Sequence, residues 1–386
     1  MFLGTPQNGS RTQHTRTLFF HIDWVLLIST LFIVGAGILT MNSFVGENYF
    51  FENQIIWTSV SVLLFFILSF IDFRFLRRTG VIVSLFLFSV LLLLLLFVFG
   101  DIVKGAQSRF DFGAFALQPS DPIKLVVIFL LAKYFSRRHI EIANIRHIFV
   151  SGFYAFVIFL LVLLQPDFGS AIIIAFLWLG MVLVSGISKK HLLVVALLGV
   201  MGMSLMWSFV FEDYQKQRIL TFIHPLTDIQ GTGYNAYQST IAVGSGQLVG
   251  KGVGYGTQSK LEFLPEYETD FIFAAFAEEW GFIGVLLLFI LLGIVIWRIL
   301  ESAMLGATNF EILFGLGLAI LFVSHIVINI GMNIGLLPVT GTTLPFMSYG
   351  GSHLITEFIG LGILMGMRRY ARTTHKDDSG REFLGI

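Results

Sequence analysis

Apolar runs recur along most of the chain, parted by short polar connections, with centres near Phe32, Leu63, Val90, Ile128, Val157, Trp178, Leu198, Leu287, Phe322 and Ile359. Each run is about 18 residues or longer, enough for a helix to cross a ~30 Å hydrocarbon core. Inside hydrocarbon the backbone must satisfy its own hydrogen bonds, so such a segment is helical. The pattern predicts an all-α polytopic membrane bundle of about ten transmembrane helices. Between the fifth and sixth runs stands only Gln165-Pro166-Asp167, a tight turn. One stretch breaks the rhythm. From 211 to 270 the chain is polar and glycine-rich with no spanning run, a large loop between the seventh and eighth helices.

Composition strengthens this reading. Of 386 residues, 56% are hydrophobic and 12% charged, against roughly 25% charged in a soluble domain. Mean hydropathy is +0.84. A net charge of zero gives no reason to expect a nucleic-acid partner. The absence of cysteine excludes disulfides and thiolate metal sites. Arg11 and Arg16 precede an apolar run too long for a signal-peptide core, with no small-residue cleavage site after it, so the run is expected to be a retained first span.

Basic residues orient the bundle. Alternate connections collect about 17 of the 24 lysines and arginines, with both termini on that side. The basic side is expected to be cytoplasmic, which puts both termini inside and the 211–270 loop outside the cytoplasmic membrane. Expected boundaries are a cytoplasmic N-terminal segment at 1–22, a transmembrane domain at 23–369 and a cytoplasmic tail at 370–386.

Several polar constellations interrupt this frame. Asp270 ends the large loop and opens the eighth span, where capping alone could explain a carboxylate. Glu278 and Glu279 follow inside the span, Glu278 about 12 Å deeper along the helix. Two such carboxylates cost about 2.5–3.5 kcal/mol each on insertion scales unless paired or facing a polar cavity. They point to a hydrated cavity beneath Asp270. In Gln118-Pro-Ser-Asp-Pro-Ile-Lys124, Ser120 is placed to cap a helix and Asp121 and Lys124 share one face. That pair suits either an ion pair or a phosphate contact. Lys104, Arg109 and Arg218 are outer cations, which run against the charge rule and so imply an anion, lipid headgroup or phosphorylated substrate.

The glycine-rich stretch from Gly244 to Gly256 fails the phosphate-loop pattern, because Ser245 and Gly252 occupy key positions, and it reads as a flexible loop. Leu337 to Gly351 carries two prolines and three glycines, and is expected to be a broken segment lining the same cavity. His325 and His353 stand alone in the sequence and read as structural.

These motifs resemble the SEDS (shape, elongation, division and sporulation) family of lipid-II-using peptidoglycan glycosyltransferases, most nearly its RodA-like branch. The resemblance runs from about Asp23 to Arg369. It is carried by Lys104-Gly-Ala-Gln, Gln118-Pro-Ser, Gln165-Pro-Asp-Phe-Gly169, Arg218 with Gly233-Tyr-Asn, Gly256 to Pro265, Thr269-Asp-Phe-Ile-Phe273, Ala277-Glu-Glu, and Leu344 to Gly351. Departures are Arg109 where the family usually has Trp, Asp121 followed by Pro122 where it has Glu, and His353 where it has Ser.

The resemblance implies polymerisation of lipid II into glycan strands during cell elongation, with Asp270 as the catalytic residue and proposed general base. Lys104, Arg109, Asp121, Lys124, Asp167, Arg218 and Glu278 are the expected substrate-binding residues. Expected partners are lipid II, the growing glycan strand, a class B penicillin-binding protein as transpeptidase, and other elongation proteins. Whether the acidic residues near Asp270 raise its pKa or help it hold a divalent cation, Mg²⁺ or Mn²⁺, stays open. The rival reading is a flippase for the same precursor, with Glu278, Glu279 and broken helices as its pathway. A scaffold would explain the bundle but not the buried acidic pair.

Overall fold

The computed structural model describes residues 21–382 apart from 44–48, 104–105, 112, 114–115, 137–144, 210, 212, 225–232 and 262. Every predicted span centre lies inside a helix. Before the large loop these are α1 (Trp24–Met41), α2 (Tyr49–Ser69), α3 (Thr79–Phe99), α4 (Ser120–Ser136), α5 (Ile145–Leu163), α6 (Phe168–Val184) and α7 (Lys189–Phe209). Within the loop lie three short helices, α8 (Asp213–Ile223), α9 (Tyr234–Ser245) and α10 (Thr257–Lys260). Then follow α11 (Ile272–Met304), α12 (Asn309–Asn333) and α13 (Gly351–Glu382). Among the described residues, seven of these helices are long and apolar enough to cross a membrane.

The all-α expectation has one addition. A small antiparallel meander, β1 (Asp101–Val103), β2 (Ala106–Asp111) and β3 (Ala116–Leu117), joins α3 to α4. Gln107 donates to the Gly100 carbonyl at 2.8 Å, tying β2 to the end of α3. The result is to hold Ser108 and Arg109 over the bundle.

α12 is the central helix, packed against α4, α6 and α11, while α1 lies on α11 and α2 on α13. α7 buries none of its apolar window and stands at the periphery. At the far end of α11 the bundle is tied by charge. Asp23 caps α1 by accepting the Leu26 N–H at 3.1 Å, and its buried carboxylate pairs with Arg298 at 2.6 Å and Arg368 at 2.9 Å. Burial alone would raise the Asp23 pKa; the hydrogen bonds from Arg298, Leu26 and Arg368 outweigh it and hold the pKa below its ordinary value.

The glycine-rich stretch is not the free loop its sequence suggests. α11 is interrupted at Gly281, whose φ of 65° and ψ of −168° no helix accommodates. A break in a helix frees backbone groups that need new partners, and the loop supplies them. Lys251 and Gly252 N–H donate to the Glu278 and Glu279 carbonyls, each at 3.0 Å, while Phe282 and Ile283 N–H donate to the Gln247 and Leu248 carbonyls at 2.9 and 3.1 Å. A Cβ on Gly250 would lie 2.1 Å from the Glu279 carbonyl oxygen, so only glycine permits this approach.

Candidate active site

Where the loop meets α11, the backbone around Asp270 is pinned from three sides. Asn329 and Asn333, four residues apart on α12, both donate to the Asp270 carbonyl, at 2.9 and 3.0 Å. Ser348 Oγ donates to the Thr269 carbonyl at 2.6 Å, and the Tyr349 N–H donates to the Glu268 carbonyl at 2.9 Å. Both asparagines are fully buried. The clamp fixes where the Asp270 side chain starts from.

That carboxylate lines a cavity of about 450 Å³. Lys124 from α4 and Arg109 from β2 line the same cavity, together with Glu266, Asp121, His325 and His353. The broken 337–351 segment contributes Gly341, Thr342, Thr343, Tyr349 and Gly350, as the sequence leads one to expect. Burial, with Tyr49 alongside, pushes the Tyr349 hydroxyl up to about 12, so the phenol keeps its proton at the cavity wall. Arg109 Nε is buried without a hydrogen-bond partner among the described residues.

Asp121 and Lys124 form an ion pair, one of the two readings their spacing allows, at 3.0 Å with both side chains buried. Ser120 does not serve as the expected cap. It is the first residue of α4, and its hydroxyl donates to the Asp167 carboxylate at 3.1 Å. Asp167 itself is spoken for: one oxygen caps α6 through the Ser170 N–H at 3.1 Å, and the other accepts from Gln118 at 2.8 Å. It positions α4 against α6 and is not among the cavity-lining residues.

Three other expectations need restating. Arg218 lies on α8, half-buried, away from the cavity lining. Lys104 falls outside the described residues. Glu278 is fully buried and is not among the residues lining the Asp270 cavity. Its carboxylate accepts from Lys251 Nζ at 2.7 Å, the Thr257 N–H at 2.8 Å and the Gln258 N–H at 3.1 Å, capping α10. Glu279 accepts from Ser43 and from the Gly254 N–H at 3.0 Å. The acidic pair latches the loop to α11, which removes it as a flippase pathway.

Sequence reading missed Asn329, Asn333 and the two histidines. The available signal was a polar stripe, His325-Asn329-Asn333, at four-residue spacing through an otherwise apolar helix. Rings of His325 and His353 approach to 4.9 Å on the cavity floor. Among the described residues no three His, Asp or Glu side chains converge as a metal site. Asp270 and Glu266 are carboxylates of the cavity wall, and a hard divalent cation is ordinarily held by one or two carboxylates with phosphate and water completing its shell.

Comparison with known proteins agrees with this geometry. The FtsW/RodA/SpoVE family, described as "Cell cycle protein", matches residues 15–373. The chain is 39% identical over 292 residues to "Peptidoglycan glycosyltransferase MrdB" of Escherichia coli (strain K12), covering 76% of this chain and 79% of that protein. It is 33% identical over 360 residues to "Stage V sporulation protein E" of Bacillus subtilis (strain 168), covering 91% and 98%. Among solved structures, one chain described under "Structural coordination of polymerization and crosslinking by a peptidoglycan synthase complex" superposes with a TM-score of 0.77 at 30% identity, covering 90% and 98%. The Thermus thermophilus rod shape determining protein RodA gives 0.68 at 30%, covering 90% and 96%.

Proposed function

This chain belongs to the FtsW/RodA/SpoVE family, and from that membership and the cavity we infer that Asp270 is the general base of a peptidoglycan glycosyltransferase that polymerises lipid II. One observation carries the site assignment. A backbone-clamped carboxylate and two cations, Lys124 and Arg109, open onto a single cavity.

Glycosyl transfer needs those groups. The acceptor sugar hydroxyl gives its proton to Asp270 as its oxygen bonds to the donor's anomeric carbon. The bond from that carbon to the diphosphate breaks, and its electron pair leaves on the lipid diphosphate, whose growing charge Lys124 and Arg109 stabilise. One base suffices for a single inverting displacement, as in inverting glycosidases where a carboxylate activates the incoming oxygen. Arg218, not among the cavity-lining residues, serves the approach of the anionic substrate.

The multi-pass bundle sits in the cytoplasmic membrane, with both termini inside and the Asp270 cavity on the outer face. Its partner is a crosslinking enzyme of the class B penicillin-binding type, together with other elongation proteins. The relative solved within a synthase complex that couples polymerisation to crosslinking supports this.

The test uses purified protein and lipid II. Wild type makes glycan strands, whereas Asp270→Asn binds lipid II with unchanged affinity and polymerises about 10²–10⁴-fold more slowly, the range general bases contribute. Polymer from Asp270→Asn at the wild-type rate removes the base assignment.

A further inference from the structure

At the cavity floor lies a buried cluster of charge of which the mechanism above uses only Lys124. Asp121 and Lys124 come from α4, His325 from α12, and His353 and Glu357 from α13. Asp121, Lys124, His325 and Glu357 are each no more than 5% exposed. Both His353 nitrogens lie within ion-pair distance of carboxylates, the contact at Nε2 being close without the alignment of a hydrogen bond. Nδ1 lies 3.6 Å from Asp121 Oδ1, the oxygen that also takes the Lys124 ammonium at 3.0 Å, and Nε2 lies 2.9 Å from Glu357 Oε1. Glu357 cannot easily turn away, because its other oxygen accepts the Phe346 N–H at 2.9 Å. Phe346 itself is held at a φ of 63°, in the left-handed region where a bulky residue needs such support.

Counting charge gives the argument. Two buried carboxylates stand beside one ammonium, and a buried charge without a counterion is strongly unfavourable. His325 cannot supply the missing cation cheaply, since its Nδ1 meets the Thr343 carbonyl at 3.2 Å and its Nε2 has no partner among the described residues. His353, bracketed by two carboxylates, can.

The consequence falls on Lys124. An ammonium has three N–H donors, and Lys124 uses one of them on Asp121 while lining the cavity. We propose that His353 is a positioning residue for the donor's diphosphate: as an imidazolium it shares Asp121 and balances Glu357, leaving the Lys124 ammonium able to bind the anion. Without it, two carboxylates compete for one ammonium and hold it away from substrate. His353 acts through the two acids and Lys124. The inference rests on the reading that Lys124 meets the diphosphate.

Lipid II polymerisation kinetics on the purified full chain test it. His353→Gln is expected to raise KM for lipid II at least tenfold with kcat changed less than threefold. His353→Gln with Glu357→Gln removes one charge of each sign, keeps an acceptor for the Phe346 N–H, and returns KM to within threefold of wild type. Wild-type KM in His353→Gln overturns the proposal, as does a double variant no better than the single one. Should His353→Gln fail to fold, the double variant alone decides: folded and near wild-type KM supports charge balance, and misfolded or impaired tenfold overturns it. Lys124→Gln separates the two levels. A tenfold rise in its KM alongside an indifferent His353→Gln sinks only the role of His353, whereas a wild-type KM in Lys124→Gln sinks the diphosphate reading beneath it.

Discussion

Asp270 and the Glu278–Glu279 pair stand eight residues apart at the start of one helix, yet the fold treats them in opposite ways. Asp270 has its backbone immobilised by Asn329, Asn333 and Ser348, and its side chain reaches an open cavity. Glu278 has its carboxylate enclosed by Lys251 and the N-terminus of α10. In the first case the protein fixes the chain and sets the side chain at the cavity wall. In the second it uses the charge to fix the chain. Buried acidity is therefore not one role: the Glu278 carboxylate is enclosed by donors from its own loop, whereas Asp270 lines a cavity.

Substitutions sharpen that contrast. Glu278→Ala strips the partner from Lys251 and from two backbone N–H groups, so it is expected to cost about 3 kcal/mol of stability, the low end for a broken buried pair because Lys251 is partly exposed. A thermal melt in detergent reads this, while kcat of the surviving folded protein falls less than tenfold. Asp270→Glu reverses the pattern. The melt is unchanged, but one extra methylene on a pinned backbone misplaces the base by about 1 Å and lowers kcat about 10²-fold, or about 2.7 kcal/mol. Asn333→Ala removes one of two donors to the Asp270 carbonyl, and kcat is expected to fall about fivefold, near 1 kcal/mol.

The smallest effect expected is none. Asp23 sits at the far end of α11, and its pKa is lower folded than unfolded. Its contribution to stability is therefore complete above its unfolded value and is lost only as pH falls through the folded one. Melting points between about pH 8 and 5 owe no change to Asp23, whereas Asp23→Asn lowers them at every pH in that window.

Much of this architecture is legible along the chain because hydropathy is a local property. Each apolar run names its own helix, and Asp121 with Lys124, three residues apart, declares its pairing through helix periodicity. Asp270 is conspicuous as a carboxylate at a span mouth. The roles of Glu278 and Asp167 are not fully legible, since Lys251 and Gln118 lie 27 and 49 residues away and only the folded chain brings them together. The same holds for His325 and His353, which sequence presents as isolated residues and the α12–α13 packing brings into ring contact. Gly281 looks like any other glycine in a span until the loop it admits is seen beside it. The meander of 101–117 is too short for its alternation to stand out.

Chemical rescue tests the contrast most directly. Asp270→Ala removes the base but leaves the cavity, so a small carboxylate such as formate has room to take the proton in its place. The account predicts that Asp270→Ala polymerises lipid II at least about 10²-fold more slowly than wild type and that formate restores part of the loss, while Glu278→Ala gains nothing from formate. Polymerisation by Asp270→Ala at the wild-type rate without formate, or rescue at Glu278→Ala and none at Asp270→Ala, would contradict it.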